Sequence, residues 1–228
     1  MNTFVPGTVK PEELYERMRV LGAKLGLPSP QMLYAIDVTA PDGATLTRLD
    51  GRSRTYTRNF WNLFFGQLTQ AKSGTTTFGA GYLACKSTSG SVASNAFTGA
   101  AAFHPAFANT ETQGQAGVQL GSGTTAESFE GYTLATPITS GSSAGQLVYN
   151  NHTNVQNYDA ATKTWAVTYS RVLTNTSAGS VSVNEIGMYT TNSFGTYMMV
   201  RDLLPATLVV PAGGTITVGY TYTLTFPA

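Results

Sequence analysis

Residues that commonly carry catalysis are scarce in this sequence. It contains two histidines, His104 and His152, predicted in a loop and a turn, and one cysteine, Cys85. They lie far apart along the chain, whereas a zinc site takes about four such ligands and a nucleophilic cysteine or serine needs a base beside it. No serine lies in a Gly-x-Ser-x-Gly turn that joins a strand to a helix. We therefore predict a protein that is not an enzyme and that binds no metal and no cofactor.

Closely spaced carboxylates and glycines offer only weak alternatives. Glu127 and Glu130 are three residues apart in a Ser/Thr-rich segment, whereas the paired acids of glycoside hydrolases usually come from separate strands. Asp37 and Asp42 flank a turn without the further oxygen ligands of a calcium loop. The run at residues 121–123 lacks the lysine of a phosphate-binding loop. These features are interpreted as exposed loop charges and plain turns.

A basic segment comes directly before an aromatic one. Arg52, Arg54 and Arg58 precede Phe60, Trp61, Leu63 and Phe64. Basic and aromatic residues together can bind nucleic acid, but a net charge of +1 at pH 7 gives little electrostatic attraction. We predict no nucleic-acid partner, and instead a short helix near residues 56–70 with its aromatics in the core. The arginines are expected to pair with carboxylates or carbonyls, at a junction within the chain or at a subunit contact.

The chain ends in a pattern typical of a long β-strand. From residue 215 to 226 the even positions are apolar or aromatic, and the odd ones are threonine or glycine. A strict period of two predicts a strand with one buried face. Pro211 and the glycines at 213 and 214 come just before it and predict a turn. We therefore expect the chain to close on an antiparallel hairpin.

Other segments extend this β pattern. Residues 165–174 alternate in the same way before a turn at 175–179, residues 32–38 and 45–49 predict a hairpin, and residues 197–202 predict another strand. The apolar positions change from odd to even near Asn184 and Glu185, which predicts a β-bulge. Residues 72–116 are predicted as short strands joined by long loops. The expected fold class is mainly β, an antiparallel β-sandwich of jelly-roll or immunoglobulin-like type with an N-terminal arm and a short helix.

The arm contains an amphipathic helix, predicted at residues 10–25. Pro11 suits its first turn, and Gly26 with the prolines at 28 and 30 ends it. Residues 1–30 are predicted as an N-terminal arm and residues 31–228 as the β-sandwich body. The helix either packs back on its own body or docks on a neighbouring subunit, and deletion of the arm should impair assembly rather than folding. Its apolar stripe consists of Leu14, Met18, Leu21 and Leu25.

Composition restricts where such a protein works. Only 11% of the residues are charged, so serine, threonine, asparagine and glycine must supply much of the polar surface. The sequence shows neither a secretory signal nor a membrane-spanning apolar run, and its single cysteine suits a reducing compartment. We expect no membrane partner and synthesis in a cytoplasm. A virus particle reconciles these features, because its parts are made inside a cell and work outside it.

Several segments together resemble a recurring pattern in tailed-bacteriophage virion proteins. In that pattern a Gly-x-Gly-Thr-Thr loop leads to a Glu-aliphatic-Gly-aliphatic-Tyr strand, an Arg-Asp strand and a closing Pro-x-Gly turn. The similarity spans about residues 50–226, and its order of segments is more specific than any one of them. The segments are LGSGTTA (120–126), YTLATPI (132–138), LTN (173–175), VNEIGMY (183–189), RDLLP (201–205), VVPAGGT (209–215) and VGYTY (218–222), with SRTYTRNFWN (53–62) upstream.

The resemblance implies a non-enzymatic structural component of a phage virion. The preferred expectation is a capsid decoration or cement protein that contacts the major capsid protein and forms a homo-oligomer such as a trimer. A tail or fibre component, with receptor-facing loops around residues 149–152, is the close alternative. A carbohydrate-binding or carbohydrate-cleaving β-sandwich is the other, since Trp165 and Tyr169 share a strand face and could stack on sugar rings. Alternating aromatics in a strand are more often core residues, so we expect Trp165 in the core. The candidate assembly interface comprises Leu14, Met18, Leu21, Leu25, Arg52, Arg54, Arg58, Arg201 and Asp202, the last two as an ion pair or a subunit contact.

Overall fold

A computed structural model describes residues 11–69, 83–93, 116–192 and 195–227. These residues are mainly β, as predicted. The two helices among them are α1 (Pro11–Lys24) and α2 (Arg58–Thr69). The strands follow in chain order: β1 (Ser29–Thr39), β2 (Thr45–Arg52), β3 (Cys85–Lys86), β4 (Val92–Ala93), β5 (Gly117–Gly121), β6 (Val148–Asp159), β7 (Thr164–Thr174), β8 (Val181–Asn192), β9 (Gly195–Val210) and β10 (Thr215–Thr225).

Two open antiparallel sheets supply most of the core. The larger has the order β2-β1-β10-β7-β6 and the smaller the order β5-β8-β9, while β3 and β4 pair separately. Buried side chains from both sheets form one cluster, with Ile36 and Val218 from the larger sheet and Ile186 and Val200 from the smaller. This arrangement is consistent with the predicted β-sandwich.

The C-terminal strand β10 occupies the centre of the larger sheet, between β1 and β7. Ile216, Val218 and Tyr220 are fully buried, which confirms the predicted period of two. Threonines at the alternate positions line the other face, where the Thr221 hydroxyl lies 2.9 Å from that of Thr168 on β7. The β1–β2 hairpin and the strand predicted at residues 165–174 are also confirmed.

The predicted closing hairpin is wrong. β9 pairs with β8 in the smaller sheet, whereas β10 pairs with β1 and β7 in the larger one. The turn around Pro211 therefore carries the chain from one sheet to the other. A turn rich in proline and glycine suits a hairpin and a crossing equally well, so the local sequence did not distinguish them.

Asn175 joins the β9–β10 turn to the β7–β8 turn, which also leads from one sheet to the other. Its side-chain amide donates to the carbonyl of Val210 at 3.0 Å and to that of Pro211 at 3.1 Å. Its backbone N donates to Gly214 O at 2.9 Å, and Gly213 N donates back to Asn175 O at 2.8 Å. The two turns are thereby held side by side at one end of the sandwich.

The predicted bulge near Asn184 and Glu185 is confirmed. Val183 pairs with Leu208, but Glu185 pairs with Leu203, so the register shifts at this point and β9 holds the longer segment. The shift explains why Val183 and Ile186 both face the core although their positions differ in parity.

The first helix, α1, agrees closely with its prediction. Gly26 follows it with a φ of 70°, and Leu27 N donates to Gly22 O at 2.9 Å, which ends the helix in a left-handed turn. Near its start, Glu12 and Tyr15 contact Arg52 and Arg54 of the body.

The second helix, α2, is present where predicted, but its orientation differs from the expectation. Asn59, Asn62 and Leu63 are buried, whereas Trp61 and Phe64 are each 39% exposed. The amides turn inward because they bind backbone, Asn59 Nδ2 donating to Lys86 O at 2.8 Å and Asn62 Nδ2 to Ala84 O at 2.7 Å. The core expectation therefore holds for Leu63 and, in part, for Phe60, which packs against the core, but it is wrong for Trp61 and Phe64. The rings of Phe60, Trp61 and Phe64 contact one another along the side of the helix.

Only part of the segment predicted as short strands and long loops is described. β3 and β4 form a short antiparallel pair there. The remainder of residues 72–116, including His104 and all five aromatic residues of that segment, lies outside the described residues.

Cys85 should be chemically inert in the folded protein. It is fully buried on β3, its Sγ lies 3.7 Å from Asn59 O, and burial raises the pKa of its thiol far above the ordinary value. The reactive thiolate is therefore almost absent at neutral pH. We expect Ellman's reagent to leave the native protein unmodified for hours and to titrate one thiol after unfolding in urea. Rapid modification of the native protein would contradict this packing.

Candidate functional site

A buried carboxylate on β8 connects distant parts of the chain. Glu185 is fully buried, and its carboxylate accepts hydrogen bonds from the backbone N atoms of Gly123 (3.1 Å), Ala135 (3.1 Å) and Thr136 (2.9 Å). Arg201 on β9 donates a fourth through Nε at 2.7 Å. A buried charge is tolerated when it is both paired and fully hydrogen-bonded, and Glu185 meets both conditions.

Arg201 extends the same connection. Its Nη1 donates to Ala126 O at 3.1 Å and its Nη2 to Thr125 O at 2.7 Å. The segment between β5 and β6 is thus held by both members of a buried ion pair. The acidic partner of Arg201 is Glu185 and not Asp202, because adjacent residues on a strand point to opposite faces of the sheet.

The glycines of the segment at residues 120–126 permit this approach. A Cβ on Gly123 would lie 2.6 Å from the Glu185 carboxylate, and a Cβ on Gly121 would lie closer still. Gly121 and Gly123 are therefore required by the proximity of Glu185, and neither belongs to a phosphate-binding loop. The predicted plain turn becomes a carboxylate-binding segment within the chain.

Asp202 lies on the opposite face of β9, towards the core. Its Oδ2 accepts a hydrogen bond from the Tyr220 hydroxyl at 2.9 Å, and its Oδ1 accepts one from Arg54 N at 3.2 Å. Burial raises the pKa of Asp202 to about 6, and hydrogen bonds, that from Tyr220 above all, oppose the rise. Tyr220 in turn packs edge-to-face on Tyr34, with ring centroids 6.3 Å apart.

Arg52 and Arg54 connect the body to α1. Arg52 Nε donates to Glu12 Oε2 at 3.0 Å, and Arg54 Nη2 donates to Glu12 Oε1 at 2.9 Å. The Arg52 guanidinium also lies 4.5 Å from the centre of the Tyr15 ring. Arg52 Nη1 donates to Gln31 at 2.6 Å, so this arginine links the helix to β1 as well. The hydrogen bonds from both arginines hold the pKa of Glu12 below its usual range.

Arg58 and the two loop glutamates form further contacts of this kind. Arg58 binds Glu130 with both arms of its guanidinium, which lowers the pKa of Glu130, and it lies 4.9 Å from the centre of the Phe129 ring. Glu127 accepts from Leu203 N at 2.6 Å and from the Thr55 hydroxyl. Both glutamates are exposed, as predicted, but each also fastens the 122–147 segment to the body.

An open cleft of about 1030 Å³ lies between the first turn of α1, the β1–β2 hairpin and β9. Its wall carries charges of both signs, from Glu12, Asp50, Arg52, Arg54 and Glu127. Asp202 borders the cleft but is only 3% exposed, and both of its oxygens already accept hydrogen bonds. In this conformation the Asp202 carboxyl is engaged by groups of the protein itself and is not available to a ligand in the cleft.

The predicted interface residues fall into two groups: those that make contacts within the chain, and the stripe on α1. Arg201 and Asp202 are buried within one chain, which favours an internal role over a subunit contact. Arg52, Arg54 and Arg58 pair with carboxylates at junctions within the chain. The helix stripe is different, because Met18, Leu21 and Leu25 are all exposed and Leu14 is partly buried.

Two interpretations of β6 and β7 need correction. Tyr149 and His152, predicted in a loop, belong to β6; Tyr149 is buried and donates to Ile138 O at 2.8 Å, and His152 Nε2 accepts from Val118 N at 3.0 Å. Trp165, expected in the core, is 46% exposed, and its ring lies 5.1 Å from that of Tyr158. Sequence reasoning did not identify Tyr158, although its position before a turn opposite Trp165 was a usable signal.

The described residues offer little to metal or nucleophilic chemistry. Across them, no group of three or more His, Cys, Asp or Glu side chains is placed to hold a metal ion. None of the described helices has the length and apolar character to cross a bilayer. The run at residues 141–145 has Gly-x-Ser-x-Gly spacing, but it lies in bends and turns between β5 and β6 and no helix follows it.

No family model matches the chain, and neither a curated protein nor a solved structure does.

Proposed function

We propose that the protein is a non-enzymatic structural component of a bacteriophage virion, assembled through α1. The observation that carries this proposal is the orientation of α1. Its first turn is fixed to the body by charged contacts, while Met18, Leu21 and Leu25 turn their apolar side chains to solvent. An apolar stripe left open in this way is suited to burial against another subunit.

The charged contacts at the first turn give the helix a defined direction. Glu12 is held by two arginines from separate positions of the body, and Tyr15 lies under one of them. Beyond this turn the side chains of Met18, Leu21 and Leu25 stay exposed, so they are available to another subunit. The attachment therefore presents the stripe without covering it, which fits the arm's proposed role on a neighbouring subunit.

The rest of the chain supports a structural role. The segments that resemble phage virion proteins are joined to one another through Glu185, Arg201 and Asp202, so their residue types serve to hold the fold. In the finer proposal the sandwich is of jelly-roll or immunoglobulin-like type. The protein is a capsid decoration or cement protein, its partners are the major capsid protein and further copies of itself as a trimer, and neither nucleic acid nor membrane takes part. It is made in the host cytoplasm and resides in the virion.

Leu21→Glu should block assembly without unfolding the protein. Leu21 is 57% exposed, so a charge there is solvated in the free chain but would be buried in an interface of about 1,000 Å² or more. We expect an unchanged circular dichroism spectrum and thermal midpoint, together with at least tenfold weaker self-association in light scattering and loss of binding to particles that lack the protein.

Leu46→Glu is the matched control, because Leu46 on β2 is 54% exposed and the substitution is the same. It should assemble normally. Equal assembly by both variants would remove α1 as the docking element. Binding of the wild-type chain to tails rather than heads would favour the alternative, a tail or fibre component.

A further inference from the structure

Towards the β6–β7 turn the side chains of the larger sheet are no longer buried by the rest of the described chain, and an exposed aromatic pair lies there. Tyr158 and Trp165 are direct partners across β6 and β7, with ring centroids 5.1 Å apart and planes inclined by 38°. They are 47% and 46% exposed. Tyr149 on β6 and Tyr220 on β10 are by contrast fully or almost fully buried, so this exposed pair at the end of the sheet indicates a contact surface.

Register places further side chains on the same face. Gln156 lies opposite Val167, and Asn154 lies opposite Tyr169, so these amides share the face of the aromatic pair. Both amides are exposed on the edge strand β6. On the other side of β7, Leu224 of β10 is the direct partner of Trp165. The result is an aromatic and aliphatic row bordered by amide groups.

This face carries no charge at the strand positions that form it. The nearest carboxylate in sequence, Asp159, points to the opposite face by alternation. Its oxygens accept hydrogen bonds from Ala161 N at 2.9 Å and from the Thr162 hydroxyl at 2.8 Å. It serves the β6–β7 turn and is not directed at the aromatic pair.

These features match the chemistry of a neutral sugar polymer. A pyranose ring has an apolar C–H face, which packs on aromatic rings, and a rim of hydroxyl groups, which both donate and accept hydrogen bonds. Asparagine and glutamine side chains also do both and carry no charge. An acidic or basic partner would instead leave its charges unpaired against this face.

We propose that Tyr158, Trp165, Asn154 and Gln156 form a binding surface for a neutral polysaccharide. The surface binds and does not cleave, because no pair of carboxylates faces the aromatic rings among the strand positions described. This goes beyond the assembly role of α1 and does not depend on it, since the two surfaces share no residue.

Native gels containing soluble neutral polysaccharides test the proposal with the full-length chain. The panel consists of a glucan, a mannan, a galactan and an N-acetylglucosamine polymer, with alginate as a charged comparison. We expect at least one neutral polymer to retard the wild-type protein and alginate to have no effect. Trp165→Ala and Tyr158→Ala should each raise the dissociation constant about tenfold, a change that corresponds to ~1.4 kcal/mol.

Val155→Ala is the matched control, because Val155 lies on the same strand, is 62% exposed and points to the opposite face. It should bind as the wild type does. A Trp61→Phe variant leaves Trp165 as the only tryptophan, so its fluorescence should change when the polymer is added.

Three results would overturn the proposal. They are the absence of retardation by every neutral polymer, retardation by alginate alone, and undiminished binding by Trp165→Ala. If the first result came together with a loss of self-association in Trp165→Ala, the face would be a subunit contact instead.

Discussion

Replacing Glu185 by alanine should lower the free energy of unfolding by about 3–5 kcal/mol, the usual cost of removing one partner from a buried ion pair. The substitution leaves the Arg201 guanidinium buried without a counter-charge. It also removes the acceptor for three backbone N–H groups, those of Gly123, Ala135 and Thr136. Urea unfolding followed by circular dichroism measures the loss.

Arg201→Ala should cost less than Glu185→Ala. The carboxylate left behind would still accept three backbone hydrogen bonds, whereas the arginine left by the first variant would keep only two carbonyl acceptors. Gly123→Ala should destabilise through the same site, by about 1–3 kcal/mol, because its Cβ would meet the Glu185 carboxylate.

Glu13→Ala is the control for charge removal as such. Glu13 pairs with Arg17 on the exposed surface of α1, at 2.6 Å, and such pairs are worth no more than about 0.5 kcal/mol. If Glu185→Ala were as mild as Glu13→Ala, the buried pair would not be what holds the 122–147 segment on the smaller sheet.

The strands that sequence predicted best are those whose side chains alternate strictly. In β10 and β7 the alternation reports directly which face is buried, so both were located within a residue or two. The helix α1 was predicted equally well, because Pro11 and Gly26 mark its two ends. These features are local, and local composition is enough to specify them.

The buried site could be anticipated only in part. Glu185 is the one charged residue on β8 and is followed by apolar residues, and an isolated acid on such a strand indicates a buried partner. The glycines at 121 and 123 were a second signal of a close approach. Neither identifies Arg201 as the partner, since pairing across strands depends on the register shift between β8 and β9.

Two errors have a common physical cause. The turn at Pro211 was expected to close a hairpin, and Trp165 was expected in the core. In both cases the local pattern was interpreted correctly, since the turn exists and Trp165 does share the face of the buried Leu173. The local sequence pattern does not predict how far the smaller sheet reaches over the larger one. That extent decides which strand follows the turn and where the inner face of the larger sheet ends.

Asp202 should make the protein less stable as the pH rises from about 4 to about 6. Burial raises the pKa of this carboxyl to about 6, so the folded chain holds the proton more tightly than the unfolded chain does. The bound proton stabilises the folded chain fully at a pH below the pKa that Asp202 has in the unfolded chain. This stabilisation is lost as the pH rises through the higher pKa that Asp202 has in the folded chain. The shift corresponds to roughly 3 kcal/mol, which Asp202→Asn should abolish as a pH dependence.

The measurement is the difference in unfolding free energy between Asp202→Asn and the wild type, taken by urea unfolding at several values between pH 4 and pH 7.5. Taking a difference isolates Asp202, because His152 and the surface carboxylates are identical in the two proteins. The lowered pKa values of Glu12, Glu130 and Asp159 act in the opposite direction and at lower pH, where acid weakens their contacts. Parallel pH profiles for the two proteins would show that Asp202 is ionised throughout this range. In that case the hydrogen bonds from Tyr220 and Arg54 outweigh its burial.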